Sequence, residues 1–179
     1  MAQRSKSAVA RDPAYDPTDE DADPVEVAKK ILVSQLSSSA KSRRQLEQVL
    51  TRKLVPTDAA AAALDRFTEL GYIDDEAFAR SWVQSRQRTR GLSASAVRRE
   101  LQQKGIAPET IATVVADEID DESERETART LVDKKLRSMR SLAPDVATRR
   151  LVSMLARKGY SPSVSYSIVR DALNSTPLG

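Results

Sequence analysis

The feature that most constrains this chain is an internal repeat of about 50 residues. Within each repeat, an alanine, a basic residue, any residue and two apolar residues come first, at 28–32, 79–83 and 128–132. An apolar residue, a leucine, a lysine and a proline then follow at nearly fixed spacing, as Leu46/Leu50/Lys53/Pro56, Val97/Leu101/Lys104/Pro108 and Leu151/Leu155/Lys158/Pro162. One unit of this length buries little surface alone, so neighbouring units must stack to complete their cores.

The pattern within each repeat predicts three α-helices. Apolar residues recur at intervals of three and four, and no run alternates in the way that a strand requires. We therefore predict an all-α fold with three tandem three-helix repeats in an elongated, curved array. The predicted limits are 1–24 for a disordered acidic tail, 25–73, 74–119 and 120–174 for the repeats, and 175–179 for a flexible C-terminus.

Several residues predict where helices begin and end. Asp23 precedes a proline and is placed to cap the first helix, and Ser42 has a glutamine three residues later, which is the spacing of a capping box. Gly105 and Gly159 can adopt the left-handed conformation that ends a helix. The first repeat has Leu54 at the equivalent position, so we expect its turn to differ. The third helix of each repeat is expected to begin at the recurrent proline.

The composition excludes several classes of site. The 179 residues contain no Cys and no His, which excludes thiol nucleophiles, imidazole bases, disulfides and ordinary zinc sites. No segment approaches the roughly 20 apolar residues of a membrane span, and the polar N-terminus is unlike a signal peptide. With 4% aromatic residues, a surface that stacks several bases is not expected. We expect a cytoplasmic monomer that is not an enzyme and has no cofactor, metal or membrane partner.

Charged residues are unevenly distributed along the chain. Residues 1–24 contain three basic and six acidic residues, and the rest of the chain is net positive. In each repeat the cations gather around the turn between the first two helices. The candidate binding residues on this predicted basic edge are Arg43, Arg44, Arg86, Arg88, Arg90, Arg98, Arg99, Lys134, Lys135, Arg137, Arg140, Arg149 and Arg150.

The helix dipole explains only part of this clustering. It accounts for one or two cations at a helix end, but its effect fades within the last turn and crowded like charges repel. We therefore expect the equivalent corners of the three repeats to line up as one continuous positive rim. Such a rim suits phosphate or carboxylate groups, because the guanidinium fork matches both.

Two other features have simpler explanations than a functional site. Seven acidic residues lie within residues 117–126, but they lack the spacing of a calcium loop, and helix capping explains the first of them. Trp82 aligns with Ile31 and Leu131, so we favour core packing over a role as an interface anchor.

Three segments in a fixed order carry a family resemblance. They are residues 71–79 (GYIDDEAFA) with the nearby Trp82, Val83 and Arg86, residues 100–106 (ELQQKGI), and residues 157–160 (RKGY). These segments resemble the RecX family, regulators of the bacterial RecA recombinase. The resemblance covers roughly residues 25–173, and the acidic tail lies outside the family pattern.

The resemblance implies a non-enzymatic regulator that binds the RecA filament on single-stranded DNA and lodges in its groove. It further implies inhibition of the ATPase, strand-exchange and coprotease activities of RecA, and so modulation of homologous recombination, DNA repair and the SOS response. Weak binding to single- and double-stranded DNA is a further expectation. The residues alone leave two alternatives open: an autonomous DNA-binding helical protein that acts through phosphate contacts, and a helical adaptor with an unrelated partner.

Overall fold

The computed structural model describes residues 15–16, 23–139 and 141–175. Most of the predicted acidic tail, Arg140 and residues 176–179 therefore lie outside the described residues. The described part of the chain forms nine α-helices and one short 3₁₀ helix without a strand, which confirms the all-α prediction. The chain divides into two compact units, Met1–Asp74 and Asp75–Gly179.

The described residues of the first unit form three helices, which we call the first group: α1 (Pro24–Ser38), α2 (Arg43–Arg52) and α3 (Thr57–Glu69). Their apolar faces enclose one core, because the leucines and isoleucines recur at helical spacing on the inner faces. Its large buried members include Ile31, Leu32, Leu46, Leu50 and Leu64.

Two helix starts in the first group confirm the predicted caps. A carboxylate oxygen of Asp23 accepts the Val25 N–H at 2.9 Å. The Ser42 hydroxyl accepts the Gln45 N–H at 3.2 Å, and the Gln45 side-chain oxygen accepts the Ser42 N–H at 3.1 Å. Each bond satisfies an N–H that the helix leaves unpaired, and a cap of this kind contributes about 1 kcal/mol.

The turn after α2 corrects a sequence prediction. We expected it to differ from the other two because it lacks glycine, but Leu54 has φ 59°, close to the φ of 78° at Gly105. The hydrogen bonds also match: Val55 donates to Leu50 at 3.1 Å, as Ile106 does to Leu101 at 3.2 Å. The turn is thus retained with a leucine in the left-handed region, which costs about 1–2 kcal/mol relative to glycine.

In the second unit, residues 75–139 and 141–175 form six α-helices in two successive groups. The second group is α4 (Asp75–Arg90), α5 (Ala94–Gln103) and α6 (Pro108–Glu118). The third group is α7 (Asp121–Leu136), the 3₁₀ helix (Arg137–Met139), α8 (Pro144–Arg157) and α9 (Pro162–Ser175). Each group has its own core, the second around Val83, Val97 and Leu101, and the third around Val132, Leu151 and Leu155.

The second and third groups meet at a hydrogen-bonded junction. The Ser93 N–H donates to the Lys158 carbonyl at 3.0 Å, and the Tyr160 hydroxyl donates to the Gly91 carbonyl at 3.1 Å. The Lys158 ammonium donates to the Arg90 carbonyl, where α4 ends. Burial, followed by the charge of Glu124, raises the pKa of Tyr160, so the phenol stays protonated and remains a donor at neutral pH.

Gly159 lies at a close approach between the two groups. Its φ is +91°, and a Cβ built there would lie 2.5 Å from the Ser93 hydroxyl oxygen and 2.7 Å from the Ala96 Cβ. Glu124 of α7 adds a second link, since its carboxylate accepts the Ala94 N–H at 2.7 Å. The contacts therefore hold the start of α5 against the end of α8.

Candidate functional site

A carboxylate lies at the centre of the cations of the second group. Glu100, on α5, accepts bonds from the Arg86 Nε at 2.7 Å, the Trp82 Nε1 at 2.8 Å and the Arg90 Nη1 at 3.2 Å. The three donors are spaced four residues apart on α4, so they lie on one face of that helix.

The protonation of Glu100 follows from these contacts. Burial alone would raise the pKa of Glu100, but the hydrogen bonds from Arg86 and Trp82 and the charges of Arg86 and Arg90 outweigh it. The pKa of Glu100 therefore lies below its ordinary value, and the group is a carboxylate at neutral pH.

The indole of Trp82 extends this cluster. The Arg86 Cζ and the Lys104 Nζ each lie 3.8 Å from its ring centroid, within the range of a cation–π contact. Burial and then the charge of Arg86 lower the pKa of Lys104. Trp82 packs against the core of the second group but is only half-buried, so the core-packing interpretation accounts for part of its surroundings and missed the polar part.

The third group has a groove where α7 and the 3₁₀ helix face α8. It has a volume of about 660 Å³, and its lining includes Lys135, Met139, Arg149, Arg150, Met154 and Arg157. Among the described lining residues there is no acidic and no aromatic side chain. Arg149 pairs with Asp145 at 3.2 Å, but both side chains are more than two-thirds exposed, so the pair contributes little.

The structure brings five of the predicted basic residues together at these two places in the second unit. Arg86 and Arg90 surround Glu100, and Lys135, Arg149 and Arg150 line the groove. Arg140 lies outside the described residues.

The remaining predicted residues are distributed over other helices. Arg43, in the first unit, pairs with Asp65 at 2.5 Å. Arg99 lies within 3.5 Å of the Ser95 hydroxyl. Among these remaining predicted residues, the exposed ones without an ion-pair partner in the described part of the chain are Arg44, Arg88, Arg98, Arg99, Lys134 and Arg137. A continuous rim over all three repeats stays a prediction.

Sequence reasoning missed several residues of these sites. Glu100 is the only acid between Arg80 and Lys104, a signal that could have marked it as the centre of the cluster. Met139, Met154 and Arg157 had no comparable signal, because their common surface exists only once α8 packs beside the end of α7.

Comparison with known proteins identifies the family. Family models described as the second and third three-helix domains of RecX match residues 74–115 and 122–169. A curated relative from Streptomyces coelicolor, named "Regulatory protein RecX", is 46% identical over 151 residues, covering 84% of this chain and 80% of the relative. The chain belongs to the RecX family.

Other RecX proteins agree with this assignment. A relative of the same name from Thermobifida fusca is 39% identical over 148 residues, covering 83% of this chain and 80% of the relative. The crystal structure of RecX from Lactobacillus salivarius superposes with a TM-score of 0.75 over 83% of this chain and 96% of that chain, at 18% identity. That structure supports the helical fold.

Two of the acidic residues within 117–126 of this RecX family member have clear structural roles. Glu118 binds Arg80 at 2.9 Å, and Asp120 caps α7 by accepting the Ser123 N–H at 2.7 Å. The bonds from Ser123 lower the pKa of Asp120, as expected for a capping carboxylate. In the part of the chain that the structure describes, no three such groups lie together as metal ligands would.

None of the helices within the described ranges combines the length and the apolar character that a crossing of the bilayer needs.

Proposed function

We propose that this RecX family protein binds the RecA filament on single-stranded DNA and inhibits its ATPase, strand-exchange and coprotease activities. It would thereby modulate homologous recombination, DNA repair and the SOS response in the cytoplasm. Family membership supports the proposal, since the curated relatives are named regulatory proteins. The observation that carries the physical argument is the groove of the third group, whose cations have no acidic neighbour among the described lining residues.

Three cations of the groove, Lys135, Arg150 and Arg157, have no ion-pair partner among the described residues, and unpaired cations in a concave surface favour an anionic partner. They attract it over a distance comparable to the Debye length, and Arg makes bidentate bonds to carboxylate or phosphate once it arrives. A helical filament presents the same protomer many times, so contacts from more than one part of the regulator can add. Occupying the filament in this way would restrict strand exchange and the conformational cycle that hydrolyses ATP.

The test is DNA-dependent ATP hydrolysis and strand exchange by RecA with the protein titrated in. We expect both activities to fall to a plateau as the filament saturates. The double variant Arg149→Glu/Arg150→Glu should raise the concentration needed for half inhibition by about tenfold or more, because two favourable charges become unfavourable. Full RecA activity at saturating wild-type protein would contradict the proposal.

Direct DNA binding is the second candidate, and the exposed cations Arg88, Arg98 and Arg150 favour it. If this second candidate is right, the affinity of the protein for DNA without RecA should fall steeply with added salt, because each neutralised phosphate releases a counterion. Titration of labelled single- and double-stranded oligonucleotides at two salt concentrations distinguishes the candidates. Tight binding to the filament with weak binding to DNA alone supports the RecA proposal.

A further inference from the structure

The repeat allows the second and third groups to be compared position by position. Leu101 of α5 and Leu155 of α8 occupy equivalent buried positions, as do Val83 of α4 and Val132 of α7. With this alignment, Met154 takes the place of Glu100. The residues that take the places of Arg86 and Arg90 are Lys135 and Met139.

The second group thus contains its own anionic ligand. The Glu100 carboxylate reaches across from α5 and binds two arginines and an indole N–H of α4. A side chain of the protein itself therefore binds these cations and offsets part of their charge.

The third group keeps the basic character of this surface but lacks the carboxylate. Lys135, Arg150 and Arg157 line its groove without an ion-pair partner among the described residues, and Met154 lies where the acid would be. A ligand that carries both a carboxylate and an apolar group complements such a surface, because the carboxylate can bind the cations while the apolar group covers the methionine.

We propose that the groove of the third group binds a short acidic segment of a partner protein that also carries a large apolar side chain. Its carboxylates contact Lys135, Arg150 and Arg157, as Glu100 contacts the cations of the second group. Its apolar side chain lies mainly on Met154, because Met139 beside it is only 5% exposed. This inference rests on the proposed function, in that the segment belongs to a protein of the RecA filament.

The lining favours a peptide over a nucleic acid. Single-stranded nucleic acids gain affinity by stacking bases on aromatic rings, and none is found among the described lining residues. Methionine is flexible and polarisable, so it adapts to aliphatic and aromatic side chains of different shapes. A groove that only attracted phosphates would gain nothing from the sulfur-containing floor.

The test uses three fluorescein-labelled probes and fluorescence anisotropy. One is a nine-residue peptide that alternates glutamate and leucine, one has serine in place of leucine, and one is an oligothymidylate with the same number of negative charges. We expect the leucine peptide to bind about tenfold more tightly than the serine peptide, because only it covers the methionines.

The decisive variant is Met154→Glu, which gives the third group the internal carboxylate of the second. Met154 is half-buried and packs against the outside of the third core, so the change replaces none of the fully buried core residues. The new carboxylate should bind the cations of the groove and lower the affinity for the leucine peptide by about tenfold. Thr113→Glu, at an exposed position of α6, adds the same charge away from the groove and should leave binding unchanged.

Several outcomes overturn the inference. Equal binding of the two peptides, no measurable binding of either, or full binding by Met154→Glu each exclude an acidic and apolar ligand in this groove. If the oligothymidylate binds best and Met154→Glu abolishes that binding, the groove is a nucleic-acid site instead.

Parallel RecA assays keep this inference separate from the proposed function. If the wild-type protein leaves RecA fully active while the peptide results stand, the proposed function fails and the surface itself is retained. If the wild-type protein inhibits RecA and Met154→Glu inhibits equally, the function is retained and the groove is not the contact.

Discussion

The second and third groups share a core pattern and differ at the surface between their first two helices. In the second group, Glu100 holds Arg86, Arg90 and Trp82 in a closed polar cluster. In the third group, Met154 stands in the same place and the cations line an open groove. The buried positions are constrained by packing, whereas the residue at one half-buried position decides whether a basic surface is satisfied internally or is left for a partner.

This comparison changes the meaning of a cluster of cations in the sequence. Arg86 and Arg90 belong to a stretch, residues 80–104, with seven cations and a single acid, yet both are bound to the carboxylate of that acid. Lys135 and Arg150 also lie in basic stretches of the sequence, and they are the more available charges. Cation density alone therefore does not identify a binding surface.

The largest effect is expected from a substitution that disrupts the junction between the second and third groups. Gly159→Ala should lower the free energy of unfolding by about 3 kcal/mol, combining left-handed strain with overlap on the Ala96 side chain. Urea denaturation measures it. Gly71→Ala is the control, because Gly71 has φ +75° but a Cβ there meets nothing within 4 Å. It should cost about 1 kcal/mol, and equal losses in both variants would show that the close contact is unimportant.

The next largest effect is expected when Glu100 of the second group is replaced by methionine, the residue that the third group has at the equivalent position. Glu100→Met should lower the free energy of unfolding by about 2 kcal/mol, because it leaves Arg86, Arg90 and Lys104 close together without their common anion. Met154→Glu, measured in the same denaturation series, should cost less. If Glu100→Met proves as stable as the wild-type protein, the cluster is not a stabilising feature of the second group.

A smaller effect extends the comparison to the first group. Leu54→Gly should raise the free energy of unfolding of the first unit by about 1 kcal/mol, since relief of left-handed strain exceeds the added entropy of the unfolded chain. Leu54 is 67% exposed, so little packing is lost. Hydrogen exchange of the amides in α2 and α3 measures the change locally. Faster exchange in the variant would mean that the leucine side chain stabilises the turn.

The smallest effect is a pH dependence confined to the second group. Because the pKa of Glu100 is lower in the folded protein, its contribution is complete above the unfolded value of about 4.3 and is lost as the pH falls through the folded value. The stability difference between wild type and Glu100→Met should therefore shrink on acidification from pH 7 to below about 4. A constant difference over that range would contradict the role of the carboxylate charge.

The features that sequence reasoning predicted correctly depend on interactions between residues that are close in the sequence. The caps at Asp23 and Ser42 and the turn at Gly159 depend on a few neighbouring residues, so a local pattern is sufficient to find them. Leu54 shows the limit of that reasoning, because the surrounding helices impose a conformation that its own side chain disfavours.

The candidate site was less accessible from sequence, for a physical reason. The bond from Arg86 to Glu100 joins residues on two helices, and the groove of the third group joins three elements. Helical periodicity predicts which face of a helix is apolar, but which polar side chains meet is set by the relative placement of the helices. The cations could be predicted as a set, and their division into bound and available members could not.

Trp82 is the sole tryptophan of the chain, and its indole lies against two cations and donates to Glu100. Its emission is therefore an intrinsic optical reporter of the second group, and the groove of the third group contributes no signal of its own at that wavelength. A change in tryptophan emission when a ligand fills the groove would show that a conformational change passes from the third group to the second through the contacts of Gly159 and Tyr160. An unchanged spectrum on saturation would show that the two groups respond to ligands independently.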